Sequence, residues 1–444
     1  MRRKIYEKLL SWKANPDRKP LILGGARQVG KTWIATEFGK NEYEDMAYVN
    51  CLEESSLKEL VSLDSNPHRI LQGIKAITGK DIEPGKTLVF IDEVQEAIRM
   101  LPVLKSFHER IPDLDIIVAG SLLGVALHEG VSYPVGKVDE LIMYPMDFEE
   151  FLWGLGEENL AEMIKDYDSD FYNPFHDKLI DYLKNYFYVG GMPEVVYDFS
   201  AKRSYSSARA IQQSILNGYT KDFSKHITSP EMSLRISLIW KALPSQIAKE
   251  NKKFIFSAIK PSARSRDYET AIEWLESAGL AKRVTRVKDL QRPLEFYNDE
   301  GSFKLFPLDC GLLGAMMDVS ARDIILGEGA FTEYKGAFTE TYVFQQLLSN
   351  YPHKIYYYSN ENSTAEIDFC LDSGNIVPIE VKGGRNITAK SMVKFLKQSP
   401  ETKGFRLSEN RHHQGDMIDD IPLYCACAFA RKMSEDKLLN NSLF

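Results

Sequence analysis

Along the chain, uninterrupted apolar runs alternate with stretches whose apolar residues recur at helical spacing. Leu21 to Leu23, Leu88 to Ile91 and the stretch LDIIVAGS are apolar segments of strand length, the pattern of parallel strands covered on both faces. Helical periods follow the first two, in KTWIATEF and LPVLKSFHER. From about Asn159 to Pro230 the pattern is helical and aromatic-rich, interrupted by GGMPEVV. SLRISLIWKALPSQIAKE continues it. In SRDYETAIEWLESAGLAKRVTRV, residues Tyr268, Ile272, Leu275 and Leu280 keep helical spacing, Gly279 stops the helix and a β-rich pair follows. FTEYKGAFTETYVFQQLLSN predicts a long helix and KIYYYSN a strand. EIDFCLDSGNIVPIEVKGG then reads as two strands about a polar turn, AKSMVKFLKQSP as a helix and DDIPLYCACAFA as a last strand. Helices interleaved with apolar strands make this an α/β chain.

At 444 residues the chain is too long for one ordinary core and predicts two to four domains. A net charge of −8 argues against nucleic-acid binding by the whole surface, so any such contact needs a local basic patch. No apolar run approaches the ~20 residues needed to cross a bilayer. MRRKIYEKLLSWKANP reads as an amphipathic helix rather than a signal peptide, having no apolar core segment. Cys51, Cys310, Cys370, Cys425 and Cys427 are few, odd in number and mostly within apolar stretches. Buried, reduced thiols and a cytoplasmic protein are the expectation.

The strongest chemical signal is KPLILGGARQVGKTWIATEF, an apolar strand running into Gly25-Ala26-Arg27-Gln28-Val29-Gly30-Lys31-Thr32 and then a helix. Glycines at these positions let backbone N–H groups turn inward around phosphates. Lys31 reaches the β/γ oxygens, Thr32 offers a hydroxyl to Mg²⁺, and the helix N-terminus adds its positive end. TLVFIDEVQ ends a fully apolar strand in Asp92-Glu93. A parallel strand delivers Asp92 to the ligand crevice at its C-terminal edge, where it holds the Mg²⁺ shell while Glu93 orients or activates the attacking water. LDIIVAGS brings Ser121 to the same edge, suited to sensing the γ-phosphate; a strand-end cap is its plainer reading.

With GGARQVGKT, LVFIDEVQ, IIVAGSLLG, YPMDFEEFL and YVGGMPEVV, the chain resembles AAA-type ATPases. More narrowly it resembles a prokaryotic group that joins an N-terminal AAA domain to a C-terminal domain of unknown function. The resemblance implies that YPMDFEEFL follows the last strands of the ATPase core and that GGMPEVV lies in a helical lid. Members of the group often carry Gly-Arg before the Pro-x-x-Phe segment, where this chain has Gly136-Lys137. Lysine supplies charge without the bidentate fork, which leaves Arg27 and Lys137 as candidates for a finger residue and subunit assembly open.

Within the helical middle, Tyr219, Asp222 and Lys225 share a face, read as packing, with partner sensing as the alternative. Residues 231–290 hold twelve Lys/Arg against seven Asp/Glu. Lys249, Lys252, Lys253, Lys260, Arg264 and Arg266 lie just before or at the presumed recognition helix of what looks like a winged helix. Such charges make phosphate contacts whose affinity falls with salt; a solvated basic run or a protein-packing face is the alternative.

The C-terminal order of a helix, three strands, a helix and a strand resembles the PD-(D/E)xK restriction-endonuclease-like superfamily. Glu-x-Lys alone is uninformative, since it also occurs at Glu250/Lys252, Glu333/Lys335, Glu401/Lys403 and Glu435/Lys437. Only Glu380-Val381-Lys382 lies in an apolar strand that follows, across a short turn, an Asp-bearing strand. A period of two puts Glu380 and Lys382 on one face, and pairing across the hairpin brings Asp368 there. Asp368 and Glu380 are oxygen ligands suited to Mg²⁺ or Mn²⁺, and Lys382 can position the metal-bound water. Glu340 corresponds to the further acidic residue of many such enzymes, with Glu366 as a substitute.

The expected architecture is therefore an AAA-type P-loop NTPase core (1–158), a helical lid (159–230), a winged-helix-like domain (231–325) and a nuclease-like α/β domain (326–444). The expected cofactors are ATP and Mg²⁺, with Mg²⁺ or Mn²⁺ at the C-terminal site. Expected partners are DNA, through residues 249–288 and the C-terminal domain, and a protein partner or a second copy. The alternatives are a nucleotide-dependent signalling switch and a non-cleaving DNA-binding regulator with a silent nuclease-like domain.

Overall fold

The computed structural model describes residues 1–442 except 122–131, 166–168, 226, 228, 250–252, 262, 328–330, 361–364 and 384–388. Lys252, the end of IIVAGSLLG and Gly384 therefore lie outside the described residues. The chain divides into two compact units. One comprises Arg2–Tyr144 with Glu273–Leu280; the other comprises Met1, Pro145–Ile272 and Ala281–Phe444.

The N-terminal unit is built on five parallel strands in the order β2-β3-β4-β1-β5: β1 Leu21–Gly24, β2 Asp45–Asn50, β3 Thr87–Asp92, β4 Ile116–Ala119 and β5 Asp139–Ile142. Every residue of β1, β3 and β4 is buried, which is why these strands read as continuous apolar runs. Edge strand β5 alternates half-buried and exposed residues and left no such run to read. Helices Pro67–Thr78 and Met100–Arg110 bury Ile70, Ile74, Leu101, Leu104 and Phe107 in the core that includes Val89, Ile91, Ile116 and Val118. The N-terminal helix Ile5–Ala14 is amphipathic, as its sequence predicts, and buries Ile5, Leu9 and Trp12.

The second unit carries a seven-stranded mixed sheet in the order β12-β11-β10-β9-β8-β6-β7. Its strands are β6 Ala281–Val287, β7 Asn298–Pro307, β8 Tyr356–Ser359, β9 Glu366–Asp372, β10 Ile376–Val381, β11 Gly404–Ser408 and β12 Ile418–Pro422. The hairpin that sequence places in a separate winged-helix-like domain is β6 and β7. It does not stand apart: Thr285, Arg286 and Val287 pair in parallel with Tyr356, Tyr357 and Tyr358. A free β6 edge would expose an unpaired ladder, and β8 covers it. The C-terminal end also differs from expectation. DDIPLYCACAFA turns after Pro422, and its last residues open the helix Ala426–Ser442. Its apolar run is that of a helix buried on most sides, which periodicity does not separate from a buried strand.

The middle helices Tyr205–Lys225 and Pro230–Ile247 pack together, with Tyr219 edge-on to Trp240 at 6.2 Å between ring centroids. That fits the packing reading of Tyr219. All five cysteines are buried and free. Among the described residues no helix is long and apolar enough to cross a membrane.

Candidate functional site

The loop after β1 owes its shape to backbone that few residues tolerate. Gly25 has φ 132°, and a Cβ there would lie 2.2 Å from the Met143 carbonyl oxygen, so the close approach of the next strand demands glycine. Gln28 also has positive φ, at 66°, a conformation that costs energy outside glycine and marks a loop held by its surroundings. The helix Lys31–Glu42 starts directly from this loop.

Lys31 is buried, and its ammonium donates to the carbonyls of Gly25 at 2.9 Å and Ala26 at 2.7 Å. Burial pulls its pKa down to about 8, against the opposing charges of Glu93 and Asp92. The Thr32 hydroxyl donates to Asp92 Oδ2 at 2.6 Å, while Asp92 Oδ1 accepts the Glu93 N–H at 2.9 Å. Asp92 is 3% exposed, and burial raises its pKa. Glu93 sits in the left-handed region at φ 50° and hydrogen-bonds Gln95. Arg27 Nε donates to Ser121 Oγ at 3.2 Å, and Ser121 is buried beyond β4. Residues from three strand ends thus meet at one sheet edge, as the sequence predicts for Lys31, Thr32, Asp92, Glu93 and Ser121. A hydroxyl and a carboxylate in contact are hard oxygen donors that fit Mg²⁺.

Lys137 stands elsewhere. Asp139 pairs with Leu21 at the start of β1, so Lys137 lies at the sheet end opposite the loop, where it pairs with Glu109 at 3.3 Å. Sequence reasoning missed Gly279. At φ 71°, it brings its backbone against the loop, where a Cβ would meet the Ala26 nitrogen at 3.1 Å. Its role as a helix stop was readable, but the contact partner was not.

In the second unit, the sheet and the helix Phe331–Asn350 gather the C-terminal candidates. The antiparallel β9–β10 register, with Ile379 opposite Phe369, sets Glu380 across from Asp368. Asp368 Oδ2 accepts the Val381 N–H at 2.8 Å, and Glu380 pairs with Lys382 at 2.6 Å. Glu380 Oε2 is buried without a hydrogen-bond partner, and burial together with the Asp368 charge raises the Glu380 pKa to about 7.

One residue in this cluster carries no motif. Lys304 on β7, 1% exposed, donates to Glu340 Oε1 at 2.8 Å, pairs with Glu366 Oε1 at 2.6 Å and lies 3.8 Å from Asp368 Oδ1. Its ammonium also faces the Tyr357 ring at 4.9 Å. The signal was a single charge inside the otherwise apolar SFKLFPL. Its ammonium sits among the carboxylates that sequence assigns to a metal. Among the described residues no group of three His, Cys, Asp or Glu side chains is arranged to hold a metal ion. As the cluster stands, its residues do not fit one.

Three family models match the chain: the AAA domain AAA_14 over residues 17–152, a domain of unknown function (DUF8612) over 180–323, and a domain of unknown function (DUF4143) over 335–426. Comparison with curated proteins returned no match. Among solved structures, the Walker-type ATPase PABY2304 of Pyrococcus abyssi aligns at 16% identity and a TM-score of 0.44, covering 71% of this chain and 95% of its own. The RuvB Holliday junction branch migration motor of Thermotoga maritima aligns at 13% identity and a TM-score of 0.26, covering 64% and 90%. The motif-bearing loop, Asp92 and Ser121 all fall inside the matched residues 17–152, and the chain carries an AAA domain there.

Proposed function

We propose that this chain binds ATP with Mg²⁺ at Gly25–Thr32 and Asp92, hydrolyses it, and uses the nucleotide state to act on its C-terminal region. The observation that carries this reading is the 2.6 Å bond between Thr32 and Asp92 beside a buried Lys31. Lys31 is held by two loop carbonyls and exchanges them for β- and γ-phosphate oxygens, which restore the solvation its ammonium lost on burial. Loop N–H groups and the start of the helix Lys31–Glu42 bind the remaining phosphate charge. Thr32 and Asp92 would hold Mg²⁺, which neutralises charge on the phosphates. Glu93, next to Asp92, would orient the attacking water and accept its proton. Arg27 and Ser121, joined by their hydrogen bond, would read the γ-phosphate in this reading. ATP titration against the wild-type chain and Lys31→Ala tests the binding half: saturable binding in the first and its loss in the second are expected. Equal binding by both would refute it.

The proposal extends to DNA contact through residues 249–288, supported by Lys260, Arg264 and Arg266, which are exposed in a region of local positive excess. The C-terminal carboxylates carry no cleavage step in this reading, because of the observation at Lys304. That observation is equally met by a second reading, a nucleotide-dependent switch with a silent nuclease-like domain. Steady-state turnover separates the two, a switch holding nucleotide with little hydrolysis.

A further inference from the structure

We propose that Lys304 is the resident cation of the C-terminal carboxylate cluster, so that its ammonium occupies the place where sequence alone puts a divalent metal. This goes beyond the ATPase reading and does not depend on it. Glu340 from the helix Phe331–Asn350 and Glu366 from β9 converge on one point, with Asp368 of β9 beside it. That point is taken by Lys304 Nζ, at 2.8 and 2.6 Å from the glutamates and 3.8 Å from Asp368.

The charge is built in rather than adventitious. Lys304 lies on a strand whose last six residues are all buried, and it is 1% exposed. Its stem is enclosed, and its head faces the Tyr357 ring as well as the carboxylates. An ammonium on a side chain 1% exposed does not reach bulk solvent, and a divalent cation among the same oxygens would face it at contact range. The energetic cost of displacing a buried, paired charge falls on the metal. The carboxylates are thereby satisfied from within: Lys304 serves Glu340 and Glu366, the Val381 N–H serves Asp368, and Lys382 serves one oxygen of Glu380. The remaining buried oxygen, Glu380 Oε2, belongs to the same cluster and is the group left to complete an oxygen site once the ammonium is removed.

The wild-type chain therefore takes no divalent cation at this centre, and replacing Lys304 with an uncharged side chain of similar length creates a site for a hard divalent ion. Loss of the free Mn²⁺ paramagnetic resonance signal, measured on the full chain without nucleotide, reads this directly. Wild type and Asp368→Asn are expected to bind Mn²⁺ identically. Lys304→Met is expected to gain one bound Mn²⁺ per chain, and Lys304→Met/Asp368→Asn to lose it again. If Lys304→Met does not fold, Lys304→Met/Glu340→Gln, which removes one charge of each sign, takes its place. Wild-type binding that Asp368→Asn abolishes overturns the proposal. So does a folded Lys304-substituted chain that gains nothing.

Discussion

At the scale of single residues, the nucleotide site holds its own charges under strain of desolvation, and this has a measurable sign. The Lys31 pKa stands near 8 in the free site, below the ordinary 10.5, and arriving phosphate charge raises it again. In the window from about 8 to 10.5, bound chain then holds more protons than free chain. ATP binding there takes up a proton and weakens as pH rises, whereas below that window Lys31 is charged in both states. Calorimetry in buffers of different ionisation enthalpy is expected to report the uptake above a pH of about 8 and none well below it. Gly279→Val places a branched side chain at φ 71° and against the Ala26 nitrogen. Strain of roughly 1–3 kcal/mol is expected, seen as a lower melting temperature and weaker ATP binding. The loop residues were legible because their chemistry is contiguous, Gly25 to Thr32 within one motif. Lys304 was not, because its partners lie 36 residues away in Glu340 and farther in Glu366, and a lone lysine in an apolar strand has no motif.

At the scale of elements, the β6–β7 hairpin is the instructive case. Its helix-then-hairpin order resembles a winged helix, and nothing local in AKRVTRV announces a parallel partner some seventy residues later. Parallel pairing is a long-range event, and sequence periodicity carries no information about it. Register makes the hairpin and the C-terminal strands one ladder, so they should lose protection together. Hydrogen exchange of the Thr285–Val287 and Tyr356–Tyr358 amides is expected to follow one opening free energy. Two separate opening energies would mean that the hairpin is an independent module. The β9–β10 hairpin was read correctly because a short polar turn sets its register, bringing Asp368 and Glu380 together as alternation requires. DDIPLYCACAFA shows the reverse: its strand ends at Pro422 and its last residues are helical, because a short apolar run in a buried element is compatible with either helix or strand.

At the scale of the whole chain, a net charge of −8 and a basic stretch around Lys260, Arg264 and Arg266 pull in opposite directions. If those side chains meet DNA phosphates, log affinity should fall linearly with log salt, by about 0.9 per phosphate contact. Neutralising Arg264 and Arg266 should then make the slope shallower by about 2. Electrophoretic or anisotropy titrations at several salt concentrations check it, and an unchanged slope would assign the stretch to solvated surface. The assignment of Glu273–Leu280 to the same compact unit as the P-loop was beyond sequence reading, since it joins segments more than two hundred residues apart. The central claim is ATP hydrolysis, and steady-state phosphate release from the wild-type chain, Lys31→Ala and Glu93→Gln tests it most directly. Mg²⁺-dependent turnover is expected in wild type, none in Lys31→Ala, and a loss of roughly 10²- to 10⁴-fold in Glu93→Gln with ATP still bound. Turnover that persists unchanged in Lys31→Ala would contradict that claim.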